Sequence, residues 1–120
     1  MSPRSPHVEE WHPVCRLAEL EVRRGVAALV HGQAVAIFRT DDDQVYALGN
    51  HDPYVRTSVL ARGIVGVRDG VPFVAPVAHG HAFDLRTGRC LEDGQVSVPA
   101  YDVKVVEGVV LVGQRKAVAA

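Results

Sequence analysis

Short valine-rich runs, cut by turn signals every few residues, leave this chain little choice but an all-β fold. VAALV (26–30) meets His31-Gly32-Gln33 and returns as AVAIF (34–38), and the charged turn TDDDQ (40–44) leads into VYAL (45–48). IVGV (64–67) is joined through Arg68-Asp69-Gly70 to VPFVA (71–75), and YDVKVV (101–106) through Glu107-Gly108 to VVLVG (109–113). A two-residue turn of type I′ needs positive φ at both central positions, which Asp-Gly supplies most readily. Valine suits the pleated, half-buried surface that such hairpins build. The 109–113 arm alternates weakly, which predicts a strand buried on both faces. The only helical hint is CRLAELEVRRG (15–25), enough for a turn or two before Gly25. Trp11, the sole tryptophan, is expected to open the first strand and pack in the core. Repeated short hairpins predict a small antiparallel β-sandwich or barrel. It forms one domain over 11–113, between a flexible tail at 1–10, which carries Pro3 and Pro6, and a frayed tail at 114–120.

At 120 residues and 48% hydrophobic content the chain can build one core unaided. Its net charge is −1 with the signs interleaved, so no basic stripe is present to track a nucleic-acid backbone. No apolar run approaches the ~18–20 residues that span a bilayer. The start is polar and proline-bearing, unlike a secretory leader. Cys15 and Cys90 form no close pair, which predicts free thiols in a reducing cytoplasm rather than a Cys15–Cys90 disulfide.

Hairpins name no function; two loops carry more. They are ALGNHDPYVRTS (47–58) and VAPVAHGHAFDLRTG (74–88). With the closing VPAYDVKVVEGVVLV they resemble, over about 11–113, a Rieske-type iron–sulfur domain. Its pattern is a Cys-x-His loop after an Ala-Leu strand, then a Cys-x-x-His-Gly loop followed by Phe-Asp and Thr-Gly. Carried over, the first pair of ligand positions falls on Asp52 and Tyr54, and the second on Pro76 and His79, with Gly80 after it. Only His79 keeps a ligand's residue type. A Rieske centre needs two thiolates and two imidazoles, and proline has no side-chain donor, so no cluster is expected in this chain.

The absent ligands, together with GNHDPY, SVLARGIVG and FDLRTGRCLED in this order, are similar to the small subunit of bacterial assimilatory NAD(P)H-dependent nitrite reductase. That resemblance implies a large-subunit partner carrying FAD, a [4Fe–4S] cluster and sirohaem, and reduction of nitrite to ammonium by the complex. This chain would be an accessory, non-catalytic subunit without a cofactor of its own. Two other readings are a Rieske-type [2Fe–2S] electron carrier and a small mononuclear-metal enzyme; a fourth is a free-standing binding module. Edge strands left uncovered when the partner is absent would favour homo-oligomers.

A metal enzyme would use His51, Asp52, His79 and His81, two or more imidazoles with a carboxylate. Against it, HxH spacing is a weak signal and loop histidines usually bond to solvent or backbone. Asp52 and Tyr54 read either as a proton-handling pair or, more simply, as an Asx turn and a space-filling ring. Asp84 is expected to organise the turn at Thr87-Gly88, with Gly88 at positive φ. Cys90, with no base beside it in sequence, reads as structural. The segment RTSVLARGIVG (56–66), with Arg56 and Arg62 among aliphatic residues, has the composition of an interface as much as of a solvated loop.

Overall fold

The computed structural model describes residues 11–117. Eleven strands and two single-turn 3₁₀ helices follow one another. The first half comprises β1 (His12–Arg16), η1 (Leu17–Glu19), β2 (Gly25–Val30), β3 (Gln33–Arg39), β4 (Val45–Gly49), β5 (His51–Asp52) and β6 (Thr57–Ser58). The second comprises η2 (Leu60–Arg62), β7 (Ile64–Arg68), β8 (Val71–Ala75), β9 (Phe83–Asp84), β10 (Ala100–Val106) and β11 (Val109–Arg115). Six strands form one antiparallel sheet in the order β1-β11-β10-β4-β3-β2. Its edge strands β1 and β2 approach each other, so the sheet curls most of the way into a barrel. A smaller sheet, β7-β8-β9, and the β5-β6 pair cap one side.

All three short turns are of type I′: His31/Gly32, Asp69/Gly70 and Glu107/Gly108 each pair φ near +50° with φ near +80°. The hairpins predicted at 26–38, 64–75 and 101–113 are therefore β2-β3, β7-β8 and β10-β11. Burial on both faces is clearest in β3, where Val35, Ala36, Ile37 and Phe38 are all fully buried. Val35 and Ile37 join Leu20, Val30, Ala47, Val110 and Val112 inside the barrel, while Ala36 and Phe38 face a second cluster with Leu48, Leu60, Val74, Phe83 and Leu85. A strand sandwiched this way reads as a continuous apolar run. Full burial of one such phenylalanine contributes about 2 kcal/mol.

The helical hint at 15–25 resolves differently from a helix. Cys15 and Arg16 belong to β1, η1 lasts three residues, and Val22 then bridges to Arg39. Pairing with β11 satisfies the backbone of 12–16 better than one short helical turn would. Trp11 is half-buried and precedes β1; its ring lies against Gly113, where a Cβ would come within 2.8 Å of it, and Lys104 Nζ sits 4.3 Å from its centroid. At the far end β11 runs two residues past 113, to Arg115, and Lys116 N–H donates to the Ala100 carbonyl. The expected tails at 1–10 and 118–120 lie outside the described residues.

The second cluster positions the loops that matter for function. Buried Asn50, just past β4, accepts from Ala61 N–H through Oδ1 (2.8 Å) and from Leu60 N–H through its carbonyl (3.1 Å), pinning η2 against the barrel. Gly25 makes room for that contact: a Cβ there would stand 2.3 Å from the Ala61 carbonyl oxygen.

Candidate functional site

The two loops singled out in the sequence converge beside Phe83. Asp52, last residue of β5, is fully buried. Its Oδ1 accepts the Tyr54 N–H at 2.9 Å, the Asx turn expected of Asp before Pro, and Arg56 N–H closes the loop onto the Asp52 carbonyl at 2.7 Å. The other oxygen, Oδ2, lies 2.7 Å from His79 Nε2 in the second loop. That loop is a turn, closed by Gly80 N–H on the Pro76 carbonyl (2.9 Å) with Gly80 at φ +74°.

The bonds around His79 fix its tautomer. The His81 backbone N–H donates to His79 Nδ1 at 3.0 Å, so Nδ1 is the acceptor and the proton sits on Nε2, facing Asp52. His81 Nδ1 lies 2.9 Å from the same nitrogen. Asp52, His79 and His81 thus bond to one another in series, and Asp52 and His79 are satisfied within the protein. His51 does not join them: it is exposed, on the opposite face of β5 from Asp52. Among the described residues no three His, Cys, Asp or Glu side chains are placed to hold a metal ion.

Tyr54 roofs the site. Its ring stacks on His81 at 4.3 Å and tilts over His79 at 4.8 Å and Phe83 at 6.2 Å. Its hydroxyl lies 3.4 Å from Cys90 Sγ, and that sulfur lies 3.7 Å from Glu92 Oε1. The hydrogen bond to Cys90, with desolvation adding to it, pushes the Tyr54 phenol up to about 12. Glu92 is held in turn: Oε1 accepts Ala82 N–H at 2.8 Å and Oε2 meets Arg68 at 2.6 Å. Burial works against the Glu92 charge, but these donors outweigh it and keep the carboxyl below its usual range.

Sequence reasoning thus brought the right loops together and missed the groups that link them. Cys90 has Tyr54 and Glu92 beside it, although no local spacing pairs residues 36 apart in the chain. Arg68 and Glu92 were missed for the same reason. Asp84 does organise its turn: Oδ1 accepts Arg86 N–H at 2.8 Å, and Gly88 sits at φ +81°. Of the 56–66 segment, Leu60 and Val65 are core, while Arg56, Arg62 and Ile64 are exposed. Both cysteines are free thiols, and they pack in different clusters.

Residues 10–113 match the family described as the Rieske-like [2Fe-2S] domain. The chain is 40% identical over 104 residues to the "Nitrite reductase (NADH) small subunit" of Salmonella typhimurium, covering 86% of this chain and 96% of that one. A crystal structure described as an NADH-dependent nitrite reductase small subunit from Mycobacterium tuberculosis superimposes with a TM-score of 0.87 at 40% identity, over 92% of this chain and 99% of that one. A segment making up 11% of the "Nitrite reductase [NAD(P)H] large subunit" of Klebsiella oxytoca is 36% identical over 91% of this chain.

A Rieske centre takes two thiolates and two imidazoles. The residues at the positions that the sequence resemblance assigns to its ligands do not fit it. Pro76 is buried and has no donor atom, both Asp52 oxygens are taken, His79 Nε2 is turned onto Asp52, and Tyr54 sends its hydroxyl to Cys90.

Proposed function

The chain belongs to the Rieske-like domain family, and from that membership we propose that it is the accessory small subunit of an NAD(P)H-dependent nitrite reductase. In this reading the complex reduces nitrite to ammonium in the cytoplasm, and the large subunit carries the FAD, [4Fe–4S] cluster and sirohaem that the sequence resemblance implies. The observation that carries it is the pair of full-length matches to small subunits, joined to the Klebsiella oxytoca large subunit that includes a segment like this chain. A domain met both as a separate small subunit and inside a large subunit is one that works against that subunit.

This chain's own part is structural. Where a Rieske domain ties its two loops through iron, here Asp52, His79, His81 and Tyr54 tie them through hydrogen bonds and stacking, and no redox centre is left to hold an electron. The exposed Arg56, Arg62 and Ile64 beside the loops are candidates for the partner contact. A permanent subunit interface would bury on the order of 2,000 Å² or more.

The test is to purify the chain anaerobically, measure iron, sulfide and the visible spectrum, and then mix it with a sirohaem-bearing large subunit. A colourless chain that co-elutes with the large subunit and raises nitrite-dependent NAD(P)H oxidation is expected. Iron and sulfide at one cluster per chain would overturn the structural role. Failure to bind the large subunit would overturn the assignment.

A further inference from the structure

On the far side of Cys90 from Tyr54, a cleft of about 580 Å³ is lined by the 84–100 segment and the end of β11. Cys90, Leu91, Val98, Pro99 and Ala100 give it an apolar floor, and Arg86, Arg89, Arg115 and Lys116 bring four cations from two separate elements. Those charges are not equivalent. Arg86 is neutralised by Asp84 at 3.0 Å. Among the described residues Lys116 Nζ donates only to the Arg86 carbonyl, at 3.0 Å. Arg89 and Arg115 are exposed, and among the described residues neither forms an ion pair. Among the described residues, therefore, Arg89, Arg115 and Lys116 stand without a carboxylate partner around one cavity, in a chain whose net charge is −1. Such a concentration does not follow from composition.

We propose that this cleft binds a diphosphate group, free or carried by a nucleoside. Two guanidinium forks and an ammonium are the donors that phosphate oxygens take, and arginine binds such oxygens bidentately. A diphosphate carries about three negative charges near neutral pH, the number left unpaired here. The cavity falls within the roughly 300–1,000 Å³ of small-ligand sites. That is more room than phosphates alone need, and the apolar floor is what a nucleoside ring would cover. Thr87, Ser97 and Gln95 add polar groups along the walls.

The experiment titrates the ¹⁵N-labelled full chain at low salt with ADP, inorganic pyrophosphate and adenosine, reading amide shifts. Saturable shifts at Thr87, Arg89, Gly94 and Ser97 are expected with ADP or pyrophosphate. Arg89→Gln and Arg115→Gln should each weaken binding about tenfold, consistent with loss of one charge-assisted contact. Arg24→Gln, exposed and outside the cleft, should leave it unchanged. ADP binding tighter than pyrophosphate identifies a nucleotide, and equal binding identifies the diphosphate alone; both uphold the site. No saturable shift with either, adenosine binding as well as ADP, or Arg24→Gln weakening binding as much as the cleft variants would overturn it.

Discussion

His79 Nε2 stands 2.7 Å from Asp52 Oδ2, and this bond joins two loops 27 residues apart around a carboxylate with no exposed surface. Asp52 accepts from two N–H groups, one of them the Tyr54 backbone, so it organises its own turn and anchors the neighbouring one at once. His81 extends the series from the other side of His79, with their Nδ1 atoms 2.9 Å apart.

Asp52→Ala leaves His79 Nε2–H and Tyr54 N–H without an acceptor in a buried site. Urea denaturation should show a loss of about 3 kcal/mol, from two unmade bonds to a charged group. Asp52→Asn, which keeps one acceptor oxygen, should lose about 1–2 kcal/mol. A double-mutant cycle with His79→Ala should give about 1–2 kcal/mol of coupling. Zero coupling would mean that the contact contributes nothing.

The Tyr54 phenol, raised to about 12 by its bond to Cys90, should ionise well above the usual phenol range in an ultraviolet titration. A raised folded value means that the stabilisation is full below pH 10, where the unfolded chain's tyrosine is also neutral, and is lost as pH climbs toward 12. Tyr54→Phe should remove a step near pH 12 from the titration. A high-pH limb unchanged in that variant would place the late ionisation elsewhere.

Two glycines at nearly the same φ should answer differently to substitution. Gly70, at φ +80°, faces open space, and Gly70→Ala should cost only the left-handed strain, about 1 kcal/mol. Gly88, at φ +81°, would bring a Cβ within 2.0 Å of the Val98 carbonyl oxygen, and that backbone is held in place by Val98 N–H on the Gly88 carbonyl. Gly88→Ala should cost at least about 3 kcal/mol, since backbone must move as well as strain. Equal losses at the two positions would show that the Thr87-Gly88 turn yields freely.

Local signals made the hairpins legible: an x-Gly pair between valine runs dictates a type I′ turn whatever lies around it. The β3 run AVAIF was equally readable as strand, but its burial on both faces depends on the second cluster, which local pattern does not encode. In the 15–25 segment the expected turn or two shortens to the three residues of η1, because Cys15 and Arg16 pair with β11. At the site, motif spacing located Asp52, Tyr54, Pro76 and His79, yet the Tyr54–Cys90–Glu92–Arg68 chain joins four segments and has no sequence signature.

The two thiols give a last readout of that chain. Cys90 is 2% exposed and lies between Tyr54 and Glu92, so a thiol reagent should reach it only when the site opens. Cys15 is half-buried, and burial, with Glu19 adding to it, pushes its thiol up. It should react first, slowly at neutral pH and faster as pH rises, because the thiolate is the nucleophile. Tyr54→Ala removes both the roof and the hydroxyl partner, and should speed labelling of Cys90 without changing Cys15. Cys90 reacting as fast as Cys15 in the unaltered protein would mean that the Tyr54 ring does not close the site, and the link from the loops to Glu92 and Arg68 would fall with it.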